Sequence, residues 1–185
     1  MKLLGFFTIE RKAIKMLNIF LTNLGKYNEG ELIGDWVELP ISDEELKEFK
    51  KKIGINHYYE EMFITDYECD FGLEVKEYDS LDKLNKIVET YNEMNEYEQK
   101  VLNAALQLYD FDEALQKVES GDWTIYEGCD DMTDVAYEVV EECGYLNDVP
   151  DTIARYFDYE AFGRDLNFES QYVFMEDGSV VNFYN

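Results

Sequence analysis

The sequence predicts an α+β protein, elongated, with three small modules (α/β, helical, α/β) laid out along the chain. Short alternating runs bounded by turn residues occur towards both ends, the pattern of half-buried strands. The middle carries apolar residues at helical spacing instead. Hydrophobic residues make up 46% of the 185 residues and aromatics 16%, too many for a disordered acidic tail.

The elements follow in order. Residues 1–15 carry Lys2, Arg11, Lys12 and Lys15 against Glu10 alone, whereas the rest is strongly acidic. We expect them to be an extension or an upstream-start artefact that stays out of the core. The first module, 16–78, opens with a strand at 17–22 and a second at 31–41, joined by a polar loop from Asn23 to Gly30. Ser42 with Glu45 three residues on is a capping-box signature, and Gly54 closes the helix it opens. Leu46, Phe49 and Ile53 are its predicted buried stripe. A third strand is predicted at 60–68. The helical module, 79–120, starts at Ser80; Leu81, Leu84, Ile87, Val88 and Tyr91, then Val101, Leu102, Ala105, Leu106 and Tyr109, mark its core face. The last module, 121–185, has a strand near 123–126, a helix over 130–143 ended by Gly144, and short helices at 150–157 and 159–166. A terminal hairpin pairs 171–176 with 179–184 across Asp177-Gly178.

Charge is the informative quantity. The chain has 42 Asp and Glu against 16 Lys and Arg, a net charge of −26. Such a balance opposes compaction by self-repulsion and repels nucleic acid, so direct nucleic-acid binding is excluded. The three cysteines, Cys69, Cys129 and Cys143, are scattered and form no Cys-x-x-Cys pair, which suits reduced thiols in the cytoplasm. The apolar patch near the N-terminus lacks the flanks of a signal peptide, and no run is long enough to span a membrane.

The predicted helix 130–143 shows how the charge is organised. Met132, Val135, Ala136, Val139, Val140 and Cys143 recur at helical spacing as a buried face. Asp130, Asp131, Asp134, Glu138, Glu141 and Glu142 fall together on the opposite face. Asp134 and Glu138 then stand about 6 Å apart along the axis, on the scale of phosphates along one DNA strand. Like charges at this spacing cost a few tenths of a kcal/mol each, and no lysine here relieves them. B-DNA carries one charge per roughly 1.7 Å of axis, so a surface of some 41 carboxylates matches about 20 base pairs. We therefore take those six, with Asp148, Asp151, Asp158 and Glu160, as candidate DNA-mimic carboxylates.

Four segments carry a family resemblance: Asn23-Leu24-Gly25-Lys26-Tyr27-Asn28-Glu29-Gly30, then Asp66-Tyr67-Glu68. Next come Cys129-Asp130-Asp131-Met132 with Asp134-Val135-Ala136, and Tyr159-Glu160-Ala161-Phe162-Gly163-Arg164-Asp165. In this order they resemble the ArdA antirestriction proteins of mobile genetic elements, over about residues 16–185. The resemblance implies a homodimer joined through the C-terminal module. It also implies acidic surfaces that mimic duplex DNA and occupy the DNA-binding groove of type I restriction-modification enzymes.

Other chemistry has thin support. Asp66, Glu68, Asp70 and Glu77 match positions of a calcium loop, but Phe71 stands where the sharp turn needs glycine. His57 is the only histidine, so a multi-histidine metal site is excluded. Arg164 is expected to pair internally with Asp165 or Asp158. We expect no catalytic residue, no metal and no cofactor. The alternatives are an acidic adaptor for another basic partner, and a calcium-binding protein.

Overall fold

The computed structural model describes residues 16–184, so the expectation for residues 1–15 lies outside the described residues. The class is α+β: the described residues form eight helices and two three-stranded antiparallel sheets. They divide into two compact units, one ending at Glu93 and one beginning at Met94.

In the first unit β1 (Leu17–Asn23) is the central strand, with β2 (Gly34–Leu39) and β3 (Met62–Cys69) on its two sides. Alternate residues Leu17, Ile19 and Leu21 are buried, as strand periodicity requires. The polar loop predicted after β1 contains a short helix, α1 (Leu24–Asn28). Asn23 causes it: its Oδ1 accepts from the Lys26 N–H at 3.0 Å, while its Nδ2 donates to the Ile53 carbonyl at 3.0 Å. A fully buried asparagine is thereby satisfied on both sides. β2 starts three residues later than the alternation suggested, at Gly34.

Helix α2 (Asp43–Lys52) has the predicted capping box between Ser42 and Glu45. Its stripe is shallower than predicted: Ile53 is buried, but Leu46 and Phe49 are only half-buried. Phe49 borders an open groove between α2 and the edge strand β2, lined in part by Val37, Pro40 and Ile41, and Leu46 borders a second opening with Lys47 and Ile55. Helix α3 (Leu81–Glu93) closes the core with Leu84, Ile87, Val88 and Tyr91. Tyr91 stacks on Phe71 with ring centroids 4.2 Å apart. Asn85 exchanges two 2.9 Å hydrogen bonds with the backbone of Ile41, which fixes α3 to the end of β2.

The second unit is built on the sheet β4 (Trp123–Glu127), β6 (Ser179–Phe183) and β5 (Gln171–Phe174), with β6 central. Every residue of β6 is buried because helices cover both faces. On one side lie α4 (Glu96–Ala105) and α5 (Phe111–Ser120): the Trp123 indole donates to the Val118 carbonyl at 3.2 Å, and Tyr109 meets Phe183 edge-on. On the other lie α6 (Met132–Cys143) and α8 (Tyr159–Glu169), around Tyr126, Cys129, Val135, Val139 and Val180. Between them α7 is only Asp151–Ala154, shorter than the predicted 150–157. The β5–β6 turn is one residue longer than the predicted Asp-Gly turn. Gly178 N–H donates to the Met175 carbonyl and Met175 N–H to the Ser179 carbonyl, and Gly178 takes the left-handed conformation at φ 76.

One cation ties this unit together. Lys100 Nζ reaches Glu127 and Asp177, both at 3.0 Å. Burial works to lower the Lys100 pKa, but the bonds from Asp177 and Glu127 outweigh it and raise it. The Ser179 hydroxyl first, then Lys100, lowers the Asp177 pKa. The Lys100 contribution is therefore complete below its unfolded pKa and lost as pH rises through the raised folded value. The Asp177 contribution is complete above its unfolded value, about 3.9, and is lost as pH falls through the lowered one. Lys100→Met should cost about 1 kcal/mol at neutral pH, since both carboxylates are half-exposed and screened. In urea titrations the gap from the parent should close below about pH 4. A gap independent of pH would place the cost in packing instead.

Candidate functional site

The candidate carboxylates sit on the outer side of α6 and just before it, in the turn that follows it (Asp148), and at the starts of α7 and α8. The amphipathic pattern places them there: Val135, Ala136, Val139 and Val140 are buried, Val135 and Val139 in the core with Tyr126 and Val180 of the sheet, so Glu138, Glu141 and Glu142 face solvent. These three have no ion-pair partner among the described residues. Asp130, Asp148, Asp151 and Glu160 are exposed and equally unpaired. Asp151 and Glu160 lie in the first turns of α7 and α8, where the helix dipole favours negative charge.

The other three have a local structural task as well. Helix α6 starts at Met132, two residues later than predicted, because Asp131 caps it. Its carboxylate accepts from Thr133 N–H at 2.7 Å and Asp134 N–H at 3.1 Å. Those backbone bonds, Asp134 first, lower its pKa and keep it ionised. Asp134 is half-buried and accepts from the Asp130 N–H at 2.9 Å. Asp158 caps α8 by accepting from Ala161 N–H at 2.9 Å. Caps spend one oxygen face on the backbone and leave the charge in place.

Four of these groups act on a buried thiol, Cys129. Burial raises the Cys129 pKa first, and the nearby charges of Glu138, Asp134, Asp130 and Asp131 raise it further. Cys69 is also raised, mainly by burial, whereas Cys143 is exposed. With a disulfide reagent near neutral pH, Cys143 should react first and Cys129 about tenfold slower or more until the protein unfolds. Fast labelling of Cys129 in the native protein would contradict this placement.

Two features were not anticipated. Tyr137 and Tyr159 stack at 3.7 Å with rings 16° apart, joining the acidic side of α6 to the start of α8. Tyr137 lying among the acids of α6 was the available signal. Gly163, buried in α8, is pressed against the first turn of α6: a Cβ there would lie 2.2 Å from the Met132 carbonyl oxygen. By contrast, Arg164 is exposed and makes no ion pair with Asp165 or Asp158, a correction to the internal pairing expected for it. Its position in α8 points away from the buried face that Phe162 and Leu166 occupy.

The first-unit signature segment also has an internal use. Lys26 Nζ bridges Glu29 at 2.9 Å and Glu31 at 3.4 Å and lies over the Tyr59 ring, while Tyr59 Oη donates to Glu29 at 2.9 Å. The Glu29 bond first, then Tyr59, raises the Lys26 pKa and keeps this cation charged. The calcium-like residues Asp66 and Glu68 belong to β3 rather than to a loop. Among the described residues no group of three or more His, Cys, Asp or Glu is placed to hold a metal. No helix of the described residues is long and apolar enough to cross a membrane.

These elements define an acidic α+β protein whose second unit displays unpaired carboxylates on a helical face. A search among curated proteins gave no match. The family model described as antirestriction protein (ArdA) matches residues 19–181. The chain belongs to the ArdA antirestriction family, and its function is antirestriction.

Proposed function

We propose that this chain inhibits a type I restriction-modification enzyme by occupying its DNA-binding groove as a non-enzymatic mimic of duplex DNA. The observation that carries the reading is the unpaired carboxylate face of α6, continued by the first turns of α7 and α8. A DNA-binding enzyme gains affinity by exchanging condensed counterions for its own lysines and arginines. A folded surface of fixed carboxylates competes for the same cations, and its rigidity lowers the ordering cost of binding. No catalytic group, metal or cofactor enters this reading, and nucleic acid itself is repelled. The working form is a cytoplasmic homodimer joined through the C-terminal part of the chain. Exposed Ile153, at 60%, and Tyr156, at 81%, offer apolar area for that contact.

The test is a type I restriction assay with fixed enzyme and DNA and increasing amounts of this protein, alongside its mass in solution. Inhibition near one dimer per enzyme, weakened by salt and by competing duplex, is the expected result. No inhibition by folded protein at large excess would overturn the proposal. A monomeric mass at the inhibitory concentration would overturn the dimer alone.

A further inference from the structure

The first unit contains a groove with its own chemistry. Strand β2 is an edge strand, and α2 stands beside it without closing on it, leaving a space of about 550 Å³. This lies within the range of small-ligand and peptide side-chain sites, about 300–1,000 Å³. Its apolar lining is Val37, Pro40, Ile41 and Phe49. Trp36 borders it, 42% exposed and braced by Phe20, which meets it edge-on at 5.4 Å. A tryptophan held in place yet left partly open offers a ring face to a ligand.

The charge of the groove selects the ligand. Its charged residues are Glu38, Glu45, Glu48 and Lys52. Lys52 is already paired with Asp35, and Glu48 with Lys51. Glu45 is held in the α2 capping box by Ser42, which lowers its pKa. Glu38 is exposed and has no ion-pair partner among the described residues. Trp36 and Glu38 are two apart on one strand, so both side chains project from the same face about 7 Å apart. An anionic ligand would meet three carboxylates here. A guanidinium can stack on the indole and still form a charged hydrogen bond to a carboxylate, which a compact ammonium does less well.

We propose that this groove binds an arginine-bearing peptide segment of a protein partner. The guanidinium lies over Trp36 and bonds to Glu38, and an adjoining apolar side chain rests on Pro40, Ile41 and Phe49. The site is on the first unit and does not rest on the mimicry assigned to the second.

The test is an NMR titration of the isotope-labelled full chain at low salt with two blocked tripeptides, Arg-Leu-Arg and Lys-Leu-Lys. The expected result is saturable shifts confined to residues 36–52, including the Trp36 indole, with the lysine peptide about tenfold weaker. Glu38→Gln should weaken the arginine peptide about tenfold, and Trp36→Leu should abolish the preference for arginine. Should Trp36→Leu fail to fold, Glu38→Gln and the lysine peptide decide alone. Equal response to both peptides, or shifts spread over the α6 carboxylates, would reduce the effect to general charge attraction and overturn the proposal. Absence of shifts in the groove would overturn it directly. Restriction activity is not the readout, so failure of the inhibitory reading would leave this result standing.

Discussion

Gly163→Ala should destabilise the second unit by about 3 kcal/mol, the upper end of overpacking costs, although alanine is the better helix former. Propensity alone favours alanine by about 1 kcal/mol in a helix interior. Here the added Cβ would meet the Met132 carbonyl oxygen at 2.2 Å and its carbon at 2.8 Å. Both are backbone atoms in the first turn of α6, so no side chain can swing aside. Helix α8 would have to lift, parting Phe162 and Leu166 from the core around Val135 and Val139 and disturbing the Asp131 cap. Urea denaturation followed by circular dichroism measures the loss, with exposed Arg164→Ala as a control of small effect. A Gly163→Ala protein as stable as the parent would mean that the two helices are not this close.

Replacing Asp134, Glu138, Glu141 and Glu142 together by their amides should separate function from stability. Four charges at about 0.5–1 kcal/mol each make the half-inhibitory concentration rise by about a hundredfold. The slope of log affinity against log salt should fall by about three to four, as expected when that many phosphate-like contacts are removed. Stability should move the other way. The i, i+4 repulsions Asp134–Glu138 and Glu138–Glu142 disappear, each worth a few tenths of a kcal/mol. Asparagine at 134 can still accept the Asp130 N–H, so the start of the helix is kept. A higher melting temperature with weaker inhibition is the expected pair of results. Full inhibition by the quadruple variant would remove α6 from the inhibitory surface while leaving the rest of the acidic surface to account for it.

Much of this was legible in the chain. The Ser42 capping box, the alternation of β1, the helical spacing of α3 and the Asp-Gly signal near the hairpin turn each depend on residues a few positions apart. So did the composition of the α6 face, because a 3.6-residue period sorts acids from aliphatics without reference to anything distant. The dual task of Asp131 and Asp134 was also locally encoded, as an acid at the cap with another three residues on. The acidic pattern invited a reading as one uniform stripe instead.

By itself, then, the sequence determined the class, the alternation of core and surface, the family and the excess of negative charge. Those follow from periodicity, capping and composition, which act over short stretches. Only the tertiary structure decided that α3 closes the first unit while α4 and α5 cover the second face of the β4–β6–β5 sheet. It also decided that Gly163 must lack a side chain, that Arg164 stays unpaired, and that α2 leaves a groove beside Trp36. Each depends on how closely two elements approach, and that distance is set by side chains far apart in the chain packing against one another.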